Sequence, residues 1–255
     1  MTERSSAPLP LDKTPRRIEG MFDAIAGRYD FLNRLLSAGL DRTWRTRAVV
    51  SLAVHNDACV LDLCTGTADL ALTLASRHRS ATTIGVDFAA EMLRHGQEKV
   101  RRGGHTDRVS LVRGDAVHIP VSSAAVDGAM IAFGIRNVEE PERALLDIHR
   151  VLKVGGRLAI LEFGYPRAPL FKAAYLWYFR TVLPLIGRLV SKHDSAYRYL
   201  PASVGTFYEP EAFCRLVAAS GFSDIRAIPL TFGIVYLYTA VKDAVSTRKP
   251  SGIIK

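Results

Sequence analysis

The stretch Ala58–Asp69 constrains the fold of this chain more than any other. It reads ACVLDLCTGTAD: a short apolar run that ends in an acid, then a tight turn, then the start of an apolar pattern at helical spacing. This order is typical of the strand–turn–helix unit that opens a nucleotide-binding α/β domain. We expect a strand that ends near Leu63, a close backbone approach to a ligand at Gly66, and a helix from about Thr67. An ordinary turn without a ligand is the alternative.

The composition of the turn limits the class of ligand that it can bind. Only Gly66 stands where a dinucleotide-binding turn carries three glycines, and Asp62 would place an anion beside a phosphate. A carboxylate suits a cationic amine instead. The turn therefore indicates an aminoacyl nucleoside, of which S-adenosylmethionine is the obvious one, and disfavours a nicotinamide-dependent oxidoreductase.

Composition limits the class of protein. Of 255 residues, 48% are hydrophobic, which is enough for the core of one α/β domain. No apolar run reaches the roughly 18 residues of a membrane-spanning helix, and the N-terminus lacks the features of a signal or transit peptide, so a cytoplasmic setting is expected. The three cysteines, Cys59, Cys64 and Cys214, are too few and wrongly spaced for a zinc site or a disulfide framework, and no metal is expected.

The formal net charge of +9 admits nucleic acid, an anionic membrane surface or acidic substrates as partners. The chain lacks the aromatic residues within a basic strand that are typical of RNA binding, so nucleic acid is disfavoured. The segment 169–190 is apolar and aromatic with interspersed cations. That pattern fits a lid or a helix at a membrane surface, and packing in the core is the alternative.

The chain is expected to form one domain, 18–242, between disordered tails at 1–17 and 243–255. Within it, 18–50 is expected as an N-terminal helical lid and 165–208 as a helical insertion over the substrate site. The strands predicted after the first are 81–87, 109–112, 127–133, 157–163, and a closing hairpin of 225–231 and 234–241. The helices predicted after these strands and the turn are 89–102, 140–152 and 210–220.

Acidic residues follow the second and third predicted strands. Asp87 lies about 20 residues beyond the turn, where a carboxylate meets the ribose hydroxyls of a nucleoside; a helix N-cap is the alternative. Met92, one turn into the next helix, can cover a face of the adenine or pack in the core. Asp115 can accept a hydrogen bond from the adenine amine, and a plain Asp turn is the competing interpretation.

Polar residues also occur in two further places: on the predicted N-terminal lid and just after the fourth predicted strand. Tyr29, Asp30 and Asn33 lie at or near the apolar face of the N-terminal helix, which would put them over the ligand. The fourth strand delivers Arg136 and Asn137 to the carboxyl edge of the sheet, where ligands of open α/β sheets bind.

Several motifs together resemble the ubiquinone/menaquinone biosynthesis C-methyltransferase family, over residues 18–242. The motifs are FDAIAGRYD at 22–30, LDLCTGTAD at 61–69, FGIRNV at 133–138, RVLKVGG at 150–156, LEF at 161–163, Asp194, YRYL at 197–200, GF at 221–222 and LTFGI at 230–234. The resemblance, of the demethylmenaquinone methyltransferase type, implies the class I S-adenosylmethionine-dependent methyltransferase fold. This is an α/β fold with a seven-stranded, mostly parallel sheet and an antiparallel C-terminal hairpin strand, here with helical lid additions.

The resemblance also implies an activity: C-methylation of a polyprenylated quinol by S-adenosylmethionine. Demethylmenaquinol is the favoured acceptor, and 2-methoxy-6-polyprenyl-benzoquinol is the alternative. A peripheral position at the inner face of the cell membrane follows from such an acceptor. The oligomeric state is open, with a homodimer among the options.

Carried over position by position, the resemblance implies four contacts to the methyl donor, and the chemistry of the reaction suggests roles for further residues. Thr67, Asp87, Asp115 and Ala116 would contact the methyl donor. Arg136 can stabilise a phenolate at the acceptor, and Asn137 can orient the same oxygen. Candidates for the base are His193, Asp194, Asp30 and a bound water; Tyr197 and Tyr199 are expected on the substrate side.

Three positions depart from the family pattern. Ala68 stands where glycine is common, Ala132 where Ser or Thr is common, and Ala202 where Glu is usual. Two other functions therefore remain open. One is a methyltransferase of this fold that acts on another acceptor; the other is a catalytically silent subunit that binds lipid or a partner.

Overall fold

The computed structural model describes residues 12–166, Thr181 and 194–243. The segment 169–190 (Thr181 apart) and His193 lie outside the described residues. The described helices are α1 (Pro15–Leu36), α2 (Leu40–Leu52), α3 (Asp69–Arg77), α4 (Ala90–Arg102), α5 (Pro141–Val151), α6 (Asp194–Gly205) and α7 (Pro210–Ala219). The strands are β1 (Cys59–Leu63), β2 (Thr82–Asp87), β3 (Val109–Arg113), β4 (Val126–Ala132), β5 (Leu152–Phe163), β6 (Ser223–Leu230) and β7 (Val235–Val241).

The strands form one seven-stranded sheet in the order β3-β2-β1-β4-β5-β7-β6. Strands β1 to β5 pair in parallel, whereas β7 lies antiparallel between β5 and β6. The predicted fold class is therefore confirmed. The strand order reverses between β1 and β4, which is the point where open α/β sheets bind ligands beyond the carboxyl ends of their strands.

The core consists of two apolar layers, one on each face of the sheet. Val60 belongs to the layer that holds Trp44 and Val49 of α2, whereas the next residue, Leu61, belongs to the layer of Leu145 on α5. Successive side chains of a strand point to opposite faces, so a central strand that is covered by helices on both sides is apolar throughout. This explains why β1 appears in the sequence as a continuous apolar run.

The predicted N-terminal boundaries need two corrections. Helix α1 begins at Pro15, inside the segment that was expected to be a disordered tail. The expected lid 18–50 is two helices separated at Gly39, whose φ of +78° lies in the left-handed region that favours glycine. Helix α2 packs against the sheet through Trp44 and Val49, so it is part of the core rather than of a lid.

The boundary between α5 and β5 is also different from the prediction. A helix over 140–152 and a strand over 157–163 were predicted, with Gly155 and Gly156 between them, but β5 already begins at Leu152. Pairing with β4 shifts register between Val126 and Gly128, and Gly155 has a φ of +79°. The two glycines therefore form an irregularity within the strand, which a one-dimensional pattern does not distinguish from a helix end.

Candidate functional site

A cavity of about 180 Å³ lies at the carboxyl ends of the central strands, with residues of α1 along one side. Seven of the predicted site residues line it: Tyr29, Gly66, Asp87, Met92, Asp115, Ala116 and Asn137. Ile18 and Phe22 of α1 add apolar surface. The structure thus gathers residues of α1, β2, α4 and the loops after β1, β3 and β4 around one space, as the prediction of a ligand crevice requires.

Asp87 joins the turn after β1 to the start of α4. Its Oδ2 accepts a hydrogen bond from the Gly66 backbone N–H at 2.8 Å, and its Oδ1 accepts one from Ala89 at 2.9 Å. The residue is 9% exposed. Burial raises the pKa of Asp87, and the hydrogen bonds from Ala89 and Gly66 oppose the shift. The N-cap of α4 is Ala89 and not Asp87, so Asp87 holds the residue before the helix rather than capping it. Each of its oxygens keeps accepting capacity toward the cavity and can also bind a hydroxyl.

At the floor of the cavity, the segment that follows β1 lies very close to the segment that follows β4. A Cβ added to Gly134 would lie 2.4 Å from the Cβ of Cys64, so no other residue fits at Gly134. The residue that follows each of the two strands is left-handed, Cys64 at φ +55° and Phe133 at φ +60°. Such backbone strain is held only where the surroundings fix it, and it clusters at ligand sites.

The surroundings of Gly66 leave room for a ligand. Its φ is +54°, and a Cβ built on it would meet only the methyl of Met92, at 3.7 Å. Asp115 forms an Asx turn with the Val117 N–H at 3.0 Å, which holds Ala116 at the cavity wall. The open backbone at Gly66 and the carboxylates of Asp87 and Asp115 fit a nucleoside.

Asp62, which was predicted to meet a cationic amine, is not among the residues that line the cavity. It is 1% exposed, and its Oδ2 accepts hydrogen bonds from Thr65 Oγ1 at 2.6 Å and from the Ala71 N–H at 3.1 Å. Burial raises its pKa from 3.8 to about 7. The carboxylate therefore lies beneath the turn and holds the turn and the first turn of α3 in place.

Thr67 and Asp30 are part of a charged network rather than free groups in the cavity. Thr67 Oγ1 donates to Asp30 Oδ1 at 2.5 Å, and the Lys99 ammonium lies 2.6 Å from Asp30 Oδ2. Lys99 also pairs with Asp69, which lies 3.7 Å from Arg45. The network links α1, α2, α3 and α4. Because its carboxylate has two partners, Asp30 is a poor candidate for the base.

Arg136 is paired in the interior. Its Nη1 lies 2.7 Å from Glu162 Oε1, and the two side chains are 6% and 0% exposed. The Arg136 N–H donates to Glu162 Oε2 at 3.2 Å, and the guanidinium also contacts the carbonyl of Phe133. The charge that was predicted to stabilise a phenolate is therefore already neutralised by Glu162.

Two polar atoms near this pair have no hydrogen-bond partner among the described residues. They are the Asn137 Oδ1, whose residue lines the cavity, and the Tyr199 hydroxyl on α6. Burial raises the pKa of Tyr199 to about 12. A buried polar atom without a partner is unfavourable. Asn137 therefore marks the place in the cavity where a ligand can supply the missing hydrogen bond.

The other predicted residues are Asn33 and the three residues His193, Asp194 and Tyr197. Asn33 is hydrogen-bonded to Tyr29; burial raises the pKa of Tyr29, and that bond opposes the shift. Asp194 and Tyr197 belong to α6, but their side chains lie outside what the structure describes, as does His193. The roles of His193, Asp194 and Tyr197 stay predictions.

The sequence interpretation missed Glu162, Lys99 and Lys13. Glu162 appears in the quoted LEF motif, and an acid within an otherwise apolar strand is a signal that it has a buried partner. Lys99 carried no comparable signal, because its partner Asp30 is 69 residues away in the chain. Lys13 lies in the expected tail, yet it lines the cavity.

The sheet order, the antiparallel β7 and the crevice at the strand-order reversal define a class I S-adenosylmethionine-dependent methyltransferase fold. Solved structures agree with this class. The cyclase SpnF superimposes with a TM-score of 0.67 at 16% identity, covering 92% of this chain and 98% of its own. A putative S-adenosyl-L-methionine-dependent methyltransferase from Methanococcus maripaludis gives a TM-score of 0.64 at 16% identity, covering 89% and 96%.

Sequence comparison gives the family. Residues 11–242 match the ubiE/COQ5 methyltransferase family, and the chain belongs to it. The ubiquinone/menaquinone biosynthesis C-methyltransferase UbiE of Geobacter sp. (strain M21) is 44% identical over 91% of this chain and 99% of its own length. The demethylmenaquinone methyltransferase of Bacteroides fragilis is 38% identical over 90% of this chain and 94% of its own length.

Proposed function

We propose that this protein transfers a methyl group from S-adenosylmethionine to a ring carbon of a polyprenylated quinol, converting demethylmenaquinol to menaquinol. The observation that carries the proposal is the cavity in which Asp87, Gly66 and Asp115 lie with the unpartnered Asn137 amide oxygen. The names of the two relatives support a quinone-pathway acceptor, and that of the Bacteroides fragilis protein supports the naphthoquinol.

The cavity contains suitable groups for both ends of an adenosyl ligand. Asp87 would accept hydrogen bonds from the ribose hydroxyls, and Asp115 with the backbone of Ala116 would hold the adenine. Met92 would cover a face of the base. When bound, S-adenosylmethionine supplies an electrophilic methyl group; the residues of this chain position it and exclude water.

The chain's own contribution to the reaction is mainly alignment. Holding two reactants in the reactive geometry can supply about 7–11 kcal/mol of the barrier. Phe22 and Tyr29 of α1 border the cavity, and Tyr29 is fixed by Asn33, so α1 can shield the reactants from water. Asn137 can donate or accept a hydrogen bond at the acceptor oxygen.

The acceptor carbon becomes nucleophilic when the adjacent quinol hydroxyl ionises. A phenol titrates near 10, and each unit by which its pKa is lowered requires about 1.4 kcal/mol of stabilisation. The site must therefore contain groups that favour an oxygen anion. The buried Arg136–Glu162 pair carries no net charge and meets this requirement only through its dipole.

Membrane association is a part of the same proposal. A polyprenylated quinol resides in the bilayer, so an enzyme that takes its ring must approach the membrane surface, here at the cytoplasmic face. The net charge of +9 suits an anionic leaflet. None of the helices in the described part of the chain is long and apolar enough to cross a membrane. A homodimer stays a prediction.

The test is methyl transfer in vitro from labelled S-adenosylmethionine to a panel of reduced acceptors. The panel contains demethylmenaquinol, 2-methoxy-6-polyprenyl-benzoquinol and simple phenols, and product ring methylation is located by mass spectrometry. We expect the naphthoquinol to be the best acceptor. Preference for the benzoquinol would indicate that the protein acts in ubiquinone biosynthesis instead. Calorimetry that detects no S-adenosylmethionine binding would instead indicate a silent subunit.

A further inference from the structure

Lys13 is a half-buried cation in the lining of the cavity. It precedes α1 and lines the same space as Asn137 and Tyr29. No side chain that the structure describes forms a hydrogen bond or an ion pair with its ammonium group. Burial lowers the pKa of Lys13, because the surrounding protein solvates the ammonium group less well than water does. An ammonium group in this position is stabilised by an anion on a bound ligand.

The two carboxylates whose charges act most on Lys13, and Glu140 of the cavity lining, are already engaged. Glu162 is paired with Arg136 at 2.7 Å. Glu142 accepts a hydrogen bond from the Tyr208 hydroxyl at 2.8 Å, and Glu140, which also lines the cavity, is paired with Arg143 at 2.8 Å. Because each of these acids already has a partner, the three compensate the charge of Lys13 less than free carboxylates would, so its positive charge acts on the cavity.

The position of Lys13 is at the acceptor end of the cavity. The charges that act on it most belong to Glu162 on β5, Arg136 after β4 and Glu142 on α5. Asp87 and Asp115, the groups that suit the nucleoside, follow β2 and β3 on the other side of β1. The charges of Arg136 and Glu162 also act on the buried hydroxyl of Tyr199. The charges of Asp12 and Arg17, which are near Lys13 in the chain, act on the same hydroxyl.

We propose that the Lys13 ammonium is the catalytic cation that stabilises the ionised quinol oxygen. The inference rests on the proposed function. In the step that it assigns, the quinol O–H releases its proton to solvent and the oxygen anion accepts a hydrogen bond from Nζ of Lys13; no covalent bond to Lys13 forms. Arg136, by contrast, is a positioning residue, because its charge is balanced by Glu162 and it holds the turn that carries Asn137.

The cation acts by lowering the pKa of the bound quinol. Without it, the fraction of ionised quinol at neutral pH falls, and the acid limb of the kcat/KM profile moves to higher pH. The other ionisable groups near Lys13 or in the cavity lining are the same in every variant. They are Asp12, Arg17, Tyr29, Cys64, Asp87, Asp115, Arg136, Glu139, Glu140, Glu142, Glu162 and Tyr199.

The experiment compares full-length Lys13→Met, Lys13→Gln and Lys13→Arg with wild type, using demethylmenaquinol as acceptor. We expect both neutral variants to move the acid limb up by about one pH unit, which is about a tenfold loss of kcat/KM near pH 7. Lys13→Arg keeps the charge and should keep the wild-type limb. Lys153→Met is the control, because Lys153 pairs with Asp127 at the surface. S-adenosylmethionine affinity by calorimetry should stay near wild type in all four variants.

Two results would overturn the inference. An acid limb that stays at the wild-type pH in both neutral variants would remove Lys13 from the chemistry even if the rate falls. A limb that moves equally in Lys13→Arg would show that charge is not the cause. Wild-type protein that binds S-adenosylmethionine but methylates no quinol would overturn the proposed function itself, and this inference with it.

Discussion

At the scale of single residues, the Arg136–Glu162 pair is expected to affect stability strongly, because both side chains are buried. Removing one member of a buried ion pair leaves an uncompensated charge, at a cost of about 3–5 kcal/mol. We expect Arg136→Met and Glu162→Gln each to lower the free energy of unfolding by this amount in urea titrations. The double variant Arg136→Met/Glu162→Gln removes both charges and should recover much of the loss. Single variants as stable as wild type would contradict the buried pair.

Asp62 gives a prediction for the pH dependence of stability. Its pKa is about 7 in the native state and 3.8 in the reference state, so the native protein holds a proton that the unfolded chain has released between these values. Ionisation of Asp62 therefore lowers the free energy of unfolding as pH rises through this window. Asp62→Asn cannot ionise, so its stability relative to wild type should improve between about pH 4 and pH 7.

The comparison uses urea unfolding of Asp62→Asn and wild type at several pH values. Thr65→Val serves as the control, because it removes a hydrogen bond to the carboxylate but keeps the titrating acid. Its stability difference from wild type should not follow the Asp62→Asn curve. A difference between Asp62→Asn and wild type that is constant with pH would contradict a raised pKa.

Sequence reasoning succeeded at residues whose role is set by local geometry. Gly66 and Asp87 lie at strand ends that apolar runs predict, and both line the cavity as expected. It did not reveal the protein partners of Asp62 and Arg136, because these depend on tertiary packing: Glu162 is 26 residues from Arg136. A strand-end acid suits a ligand amine and a buried N–H equally well, and only the packed structure decides between them.

At the scale of elements, Lys99 connects the N-terminal helix to the ligand-binding turn. It reaches Asp30 of α1 at 2.6 Å and Thr67 of the turn at 3.1 Å, and it pairs with Asp69 of α3. Without the cation, the two carboxylates would repel each other. We expect Lys99→Met to weaken S-adenosylmethionine binding and to speed amide exchange in α1, with a stability loss of about 1–2 kcal/mol.

Lys153→Met is a matched control for Lys99→Met. The Lys153–Asp127 pair has a similar separation, 2.7 Å, but the lysine is 46% exposed. Exposed pairs contribute at most about 1 kcal/mol. The control should change neither ligand affinity nor exchange in α1. Equal effects of the two variants would show that the network around Lys99 has no special role.

The elements themselves were predicted more accurately than their ends. Sequence patterns predict β1 to β4 to within a few residues. For the largely buried β1, β2 and β4 the reason is that a parallel strand covered on both faces must be apolar. The patterns do not reveal that α2 is core, since a helix that covers a sheet and one that covers a ligand both carry an apolar stripe. The irregular start of β5 at Leu152 was not predicted either, because glycines occur both within an irregular strand and after a helix end.

For the whole molecule, the positive charge predicts salt-sensitive membrane binding. Each basic residue near an anionic leaflet contributes about 1 kcal/mol, and salt screens that attraction. We expect the protein to float with vesicles that contain phosphatidylglycerol at low salt and to be released at high salt. Vesicles of phosphatidylcholine alone are the control. Binding that is unchanged by salt, or no binding to the anionic vesicles, would contradict the prediction.

The central claim is that one cavity holds the methyl donor and presents it to the quinol. A crystal structure of the protein with S-adenosylhomocysteine tests it most directly. We expect the ribose hydroxyls to lie at Asp87, the adenine beside Asp115 and Ala116, and the sulfur to be directed toward Asn137. A ligand bound elsewhere, or one whose sulfur is turned away from Asn137, would contradict it.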